Sequence, residues 1–278
     1  MPSIVTKTVL ITGAATGVGL AATKLLSQEG YNILATAMPG QDTSELNQIN
    51  NLRIIEVDLS DDSSIEELIE TVKKSHRLDA IVSNAGIAVP GPIECMPMEH
   101  IKQQYQINVF APLRMVQGLL PQLRESNGRM IFIGAGQGRV CLPFGGAYGS
   151  SKAALAAFTD ALRAEIYDSN IDISVIEPGA IKTGILETSK NRWATVLAGL
   201  SPTDLDRYKS AMEKTFHTSE EAFQSAMTSD EFAQYILKIL ESKSPKPRYL
   251  VGREAKALAF IALLPARWRA ALLTRLVK

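Results

Sequence analysis

Tyr148 and Lys152 stand four positions apart, in Tyr148-Gly149-Ser150-Ser151-Lys152. On a helix that spacing puts both side chains on one face. A free phenol has a pKa near about 10 and exchanges protons poorly at neutral pH. A neighbouring ammonium stabilises the phenolate, so the expectation is a lowered phenol pKa suited to general acid–base catalysis. A second constellation lies far upstream: Gly13, Gly17 and Gly19 in Thr12-Gly13-Ala14-Ala15-Thr16-Gly17-Val18-Gly19. These glycines follow an apolar run and open a helix-compatible stretch. There a tight turn lets the backbone approach a pyrophosphate, and a helix amino terminus supplies N–H donors. A proton-transfer pair and a dinucleotide cradle in one chain point to redox chemistry on a nicotinamide cofactor.

The elements that must position these residues follow from the hydrophobic pattern. Short apolar runs at 8–12, 31–37, 52–57, 78–83, 129–133, 171–177 and 248–251 are expected to be strands. Helices are expected over 18–29, from a capping box at Ser63-x-x-Glu66 to Lys74, near 98–108 and 111–123, and over 150–167. Strands regularly separated by helices require parallel crossovers. The expected fold is therefore α/β: a single doubly wound Rossmann-type domain over residues 1–252, with a seven-stranded parallel sheet of order 3-2-1-4-5-6-7 and helices on both faces. Residues 185–228 interrupt the alternation, are rich in Ser, Thr, Met and Ala, and read as a helical substrate lid.

The G-x-x-x-G-x-G spacing departs from the ordinary Rossmann fingerprint. With its downstream companions it resembles the classical short-chain dehydrogenase/reductase family, hydroxysteroid- and retinol-type members included, over residues 7 to 252. The companions are Asp58-Leu59, Asn84-Ala85-Gly86, Asn108, Tyr148 with Lys152, and Pro178-Gly179 with Ile181 and Thr183. The resemblance implies cofactor contacts at Gly13, Thr16, Gly17, Val18 and Gly19. It implies an adenine contact at Asp58 and Leu59, an adenosine wall at Asn84, Ala85 and Gly86, and a nicotinamide contact at Pro178, Gly179, Ile181 and Thr183. Tyr148 would handle the proton, Lys152 would also hold the ribose, and Asn108 would bind a relay water. The family places a substrate-binding serine thirteen positions before the tyrosine, where this chain has Ala135. Neither neighbour carries a hydroxyl, and Gln137 is displaced. Two explanations stay open: an introduced Ser→Ala change, which we favour, and natural absence of the serine. An oxyanion donor is worth about 10²–10³ in rate, so the chain is expected to bind cofactor and turn over poorly.

Cofactor choice is read at the end of the second strand, Thr36-Ala37-Met38-Pro39. No acid there binds a ribose diol and no arginine clamps a 2′-phosphate; Thr36 and Met38 are the candidate contacts, and NADP(H) is favoured over NAD(H). Val89, Leu142, Phe144, Ile185 and Leu186 are apolar candidates for the substrate wall, with Trp193, Val196 and Leu197 beside them. They suit a bulky hydrophobic ketone or alcohol, such as a steroid, retinoid, polyketide or lipid-like molecule.

The chain has 278 residues, 46% hydrophobic and 21% charged, with 29 basic against 29 acidic side chains. That balance argues against a general nucleic-acid binder. Cys95 and Cys141 form no metal-ligand spacing, no metal site is expected, and with no secretory signal or membrane-length apolar run the expected location is cytoplasmic. A homodimer or homotetramer is expected on the helices around 98–123 and 150–167, with Leu155 and Phe158 compatible. Residues 253–278 form a basic amphipathic extension: Arg253, Lys256, Arg267, Arg269, Arg275 and Lys278 against Glu254 give 6 − 1 = +5, and Pro265 breaks the helix. Three roles stay open for it: peripheral membrane contact, a cap on the pocket, or a subunit contact. The leading reading is an NAD(P)-dependent ketoreductase. A redox-inactive dinucleotide-binding regulator or scaffold is the second reading, and a non-redox lyase or epimerase the third.

Overall fold

The computed structural model describes residues 6–75 and 77–277; Lys278, counted in the basic tail, lies outside them. Seven strands form one parallel sheet: β1 (Thr8–Ile11), β2 (Asn32–Ala37), β3 (Leu52–Glu56), β4 (Ala80–Ser83), β5 (Arg129–Ile133), β6 (Asp172–Pro178) and, last in chain order, β9 (Arg248–Val251). Their spatial order is β3-β2-β1-β4-β5-β6-β9, the expected order with β9 as the seventh strand. Both faces are covered, which is why β4 reads Ala-Ile-Val-Ser with every residue buried rather than alternating. One face packs on α1 (Gly17–Gln28) and α8 (Ser229–Glu241), through Val18, Leu26, Phe232 and Ile236. The other packs on α2 (Asp62–Lys73), α4 (Ala111–Ser126) and α5 (Gly146–Glu165), through Ile65, Leu68, Met115, Leu119 and Leu155. Leu155 is thus a core residue, whereas Phe158 is 47% exposed.

Several local expectations shift. Ser63 and Glu66 do not form a capping box, because Asp61 caps α2 two residues earlier, accepting from the Ser63 N–H at 3.1 Å. A capping box does start α8: the Thr228 hydroxyl accepts from Glu231 N–H, and the Glu231 carboxylate accepts from Thr228 N–H. Helix α5 begins at Gly146, earlier than expected, with the Gly149 N–H donating to the Gly145 carbonyl at 2.8 Å. Tyr148 therefore sits in its first turn. The expected pair of helices near 98–123 is one continuous helical run: α3 (Met98–Tyr105), a π-helical turn over Gln106–Phe110, and α4.

The insertion is a pair of helices, α6 (Ile185–Ala198) and α7 (Pro202–Gln224), joined by packing of Trp193 on Phe216 at 5.2 Å between ring centroids. It leaves and returns through a two-residue parallel ladder, β7 (Ile181–Lys182) with β8 (Met227–Thr228). Beyond β9, α9 (Arg253–Ala262) and α10 (Ala266–Val277) flank the turn containing Pro265. The first turn of α9 belongs to the body: Ala255 is fully buried against Gly136.

Glu177 in β6 is 2% exposed and pairs with Arg139 and Arg248, each at 2.7 Å. It ties the segment after β5 to β6 and β9. The two arginines are 28% exposed and Arg248 also pairs with Asp160, so losing Glu177 costs mainly its charge-assisted hydrogen bonds. Glu177→Ala is therefore expected to lower unfolding free energy by about 1.5–3 kcal/mol, read as a reduced urea midpoint at unchanged slope; a midpoint equal to that of the parent would show the cluster to be dispensable.

Candidate active site

The sheet order reverses between β1 and β4, and the crevice of a doubly wound fold opens at the carboxyl ends of such a pair. The glycine turn follows β1, with Gly13 at φ 65° and Gly17 at φ 54°, left-handed values that favour glycine. A β-carbon on Gly19 would overlap the Gly13 carbonyl, so the turn and the helix start close on bare backbone. Thr16 is the amino cap of α1, is exposed, and its hydroxyl does not cap the helix; the first turn holds no acid, and Val18 is buried behind it. Such a cradle fits a pyrophosphate: close backbone approach, open N–H donors and a positive dipole end.

Asn84 braces the turn, its amide donating to the carbonyls of Thr12 at 2.9 Å and Gly13 at 3.2 Å. The Thr12 hydroxyl accepts from the N–H groups of Asn84 and Ala85, both at 3.0 Å. The same tripeptide reaches the catalytic candidates. A β-carbon on Gly13 would meet Ala85 at 3.1 Å, and one on Gly86 would stand 3.1 Å from Asn108 Oδ1 and 3.3 Å from Lys152 Nζ. Asn84-Ala85-Gly86 is thus the bridge between the cradle and the Tyr–Lys pair.

Lys152 is buried, its Nζ donates to the Ile133 carbonyl at the end of β5 at 2.8 Å, and it lies 5.9 Å from the centre of the Tyr148 ring. Burial lowers the Lys152 pKa to about 8. Burial pushes the Tyr148 phenol up to about 12, opposite to the lowering expected from charge alone. Desolvation is the cause of that rise, and the ammonium, 5.9 Å from the ring centre and held by a carbonyl, does not reverse it. Asn108 is fully buried in the π-helical turn, exchanging hydrogen bonds with the Ile87 backbone at 2.9 Å each and donating to the Ser151 hydroxyl at 3.0 Å. Ala135 is extended and buried, and opens the short helical turn Gly136–Gly138, which rests on the α5 backbone at Lys152 and Ala153.

The remaining positions divide. Pro178 and Gly179 end β6, with Gly179 N–H donating to Val251 at 2.8 Å; Ile181 opens β7, and Thr183 lies against Gly17. A cleft of about 800 Å³ runs from Gly17 along Lys182, Thr183 and Gly184 to Phe223 of α7. Thr36 is buried and its hydroxyl accepts from Gly13 N–H at 3.1 Å, which ties the end of β2 to the glycine turn and leaves its own proton to donate. Met38, by contrast, is 61% exposed at the end of β2. Asp58 folds back on Ser60, accepting from its N–H and hydroxyl at 2.8 and 2.7 Å, while Leu59 is buried. Val89 is buried and pinned by Gln104 through its N–H at 3.0 Å. Leu142 and Phe144 are half-buried; Phe144 takes φ 58° and meets Tyr208 of α7 edge-on. The side chains of Ile185 and Leu186 lie outside the described residues, and Trp193 and Val196 pack inside the insertion and against Gly91.

Three groups escaped the sequence reading. Gln104 secures Val89 with no motif to mark it, and Ser151, inside the Tyr148–Lys152 motif but given no role there, secures Asn108. Arg192 of α6 is half-buried and donates to the Ala88 carbonyl at 3.5 Å; burial lowers its pKa, and no described carboxylate pairs with it. A single arginine in a polar insertion carries no sequence signal.

The short chain dehydrogenase family model matches residues 7–193, and the chain belongs to that family. It is 34% identical to the 3-amino-tetrahydro-pyrrolizinone reductase of Xenorhabdus hominickii, over 90% of this chain and 88% of that protein. It is 30% identical to the NADPH-dependent 3-dehydrocapnine reductase of Ornithobacterium rhinotracheale, over 93% of both. A short-chain dehydrogenase of Streptomyces avermitilis superposes with a TM-score of 0.77 at 24% identity, covering 97% of this chain and 96% of that one.

The cradle makes a direct prediction. Gly19→Ala forces its new carbon into the Gly13 carbonyl, so the variant is expected to lose dinucleotide binding by tenfold or more, about 1.4 kcal/mol or greater, in a titration of nicotinamide fluorescence. Parental affinity in the variant would show that the turn is not the binding element.

Proposed function

We propose that this protein reduces a bulky hydrophobic ketone with NADPH, and that Ala135 leaves it slow. The observation that carries the reading is the buried Lys152 ammonium, fixed at the end of β5 beside Tyr148 and reached from the glycine cradle through Gly86. Gly13, Gly17 and Gly19 would hold the pyrophosphate, Pro178, Gly179 and Thr183 would border the nicotinamide, and Lys152 would hold its ribose. When bound, the cofactor supplies the hydride. Tyr148, kept protonated by burial, gives its proton to the ketone oxygen, and Lys152 steadies the resulting phenolate. Asn108 holds the loop after β4 in register with Lys152. Half-buried Leu142 and Phe144 favour an apolar substrate. The names of two relatives, both reductases and one NADPH-dependent, support the direction and the cofactor. The absence of an acid at Ala37 supports the cofactor too. Exposed Phe110 and Phe158 support a homo-oligomer built on α4 and α5.

Ala135 is the specific observation that favours a second reading, a dinucleotide-binding regulator without turnover. A single-turnover nicotinamide absorbance change with a panel of bulky ketones separates the two. Ala135→Ser is expected to raise kcat/KM by about 10²–10³, the worth of one oxyanion donor; no gain on any accepted substrate would remove Ala135 from the site.

The pH profile is a further check. Lys152 is charged below its pKa of about 8 and neutral above it. Reduction is therefore expected to have a level kcat/KM below about pH 8 and a one-proton fall above it. A profile flat to pH 10 would mean that Lys152 does not support the proton transfer.

A further inference from the structure

We propose that the helix pair α9–α10 is a docking arm for an anionic lipid surface. α10 has no buried residue. Its large apolar side chains Trp268, Leu272 and Leu276 recur every four positions, which places them on one face, and that face points to solvent. Phe260 and Leu263 at the end of α9 are exposed as well; the five side chains are between 37% and 82% exposed within a segment of 17 residues. A soluble helix turns such a stripe toward the core; this one presents it outward.

Charge identifies the occupant. At 100° per residue, Arg275 and Arg269 stand on the two sides of the stripe, and Arg253 and Lys256 stand beside Phe260 on the exposed face of α9. No Asp or Glu occurs in residues 255–278, and residues 253–278 carry +5 while the rest of the chain carries −5. A second copy meeting this surface face to face would bring +5 against +5. An anionic bilayer supplies the opposite sign at its surface and an apolar medium one side chain deeper, with cations able to extend back to the headgroups. Trp beside Arg is the composition of such an interface. α10 is about 18 Å long, too short to cross a bilayer, so it lies on the surface. Arg269 Nη1 donates to the Ala262 carbonyl at 3.2 Å, which holds the two helices at a fixed angle across Pro265.

The arm is joined to the crevice. Glu254 and Ala255 pack against the backbone of Gly179 and Gly136, next to the Ala135 segment, and α10 touches α7 of the insertion. Resting on the proposed function, this seat would open the site toward the phase in which a lipophilic ketone dissolves.

Co-sedimentation of the full chain tests the docking without turnover. Vesicles of phosphatidylcholine containing phosphatidylglycerol are expected to bind at least about tenfold more protein than phosphatidylcholine alone, and added salt to reduce the difference. The double variant Trp268→Ala/Leu272→Ala is expected to bind both vesicles less. Arg267→Glu/Arg275→Glu is expected to lose the anionic preference. Dinucleotide affinity and far-ultraviolet circular dichroism report folding of the variants independently. Equal partitioning on both vesicles, or partitioning unchanged by the variants, overturns the proposal. So does light scattering that shows self-association abolished by the same substitutions without vesicle binding, since the surface would then belong to a second copy.

Discussion

The site rests on one electrostatic arrangement: an ammonium taken out of water and held by a strand-end carbonyl. Lys152 donates to Ile133 at 2.8 Å and has little other solvation. A buried cation of this kind costs free energy in any fold, and its reach fixes where α5 must sit relative to β5. Because Tyr148 lies one helical turn earlier on that face, anchoring the lysine also places the phenol. The same desolvation acts on both groups in opposite directions. It keeps the phenol protonated and brings the lysine within reach of neutral pH. A protonated phenol beside a titratable cation suits delivery of a proton to a carbonyl oxygen better than its abstraction from an alcohol.

Close backbone approach extends that arrangement across the crevice. Gly13 touches Ala85, Gly86 comes up to Lys152 and Asn108, Gly138 rests on α5, and Gly136 rests on Ala255. Each contact excludes a side chain at the point where two segments meet, so the cradle, the Tyr–Lys pair and the root of α9 are joined by a chain of close backbone contacts. The π-helical turn at Gln106–Phe110 serves the same end. One extra residue in the turn rotates Asn108 inward, where it binds both backbone groups of Ile87.

The sheet, its order and the Tyr–Lys–glycine constellation were legible because they rest on local signals: continuous apolar runs, glycines at strand ends and a four-residue helical spacing. Boundaries of elements were less legible. Ser63 and Glu66 matched a capping pattern, but Asp61 offered an earlier cap; the pattern had its real counterpart at Thr228 and Glu231. The place of Thr36 at the end of β2 marks it as a cofactor contact but does not reveal the bond by which its hydroxyl closes the glycine turn. The π-helical turn, the β7–β8 ladder and Arg192 had no sequence signature, since each depends on contacts between segments far apart in the chain. The sign of the Tyr148 shift was misjudged for a related reason: pair spacing reveals a charge partner, whereas burial emerges only from the assembled fold.

Ala135 sharpens what the rest of the site means. Its backbone is extended, Gly134 N–H donates to Ile176, Gly138 N–H returns to Ala135, and Arg139 is clamped by Glu177. The backbone on both sides of Ala135 is therefore held in place. Replacing Lys152 with an apolar residue would spare the desolvation cost of a buried charge, but it would remove both the proposed ribose contact and the cation beside the phenol. The chain instead carries that buried charge together with Asn108 and its inward turn. On the function proposed above, the departure of this site from the expected pattern lies at Ala135, while Tyr148, Lys152 and Asn108 are brought together beside it.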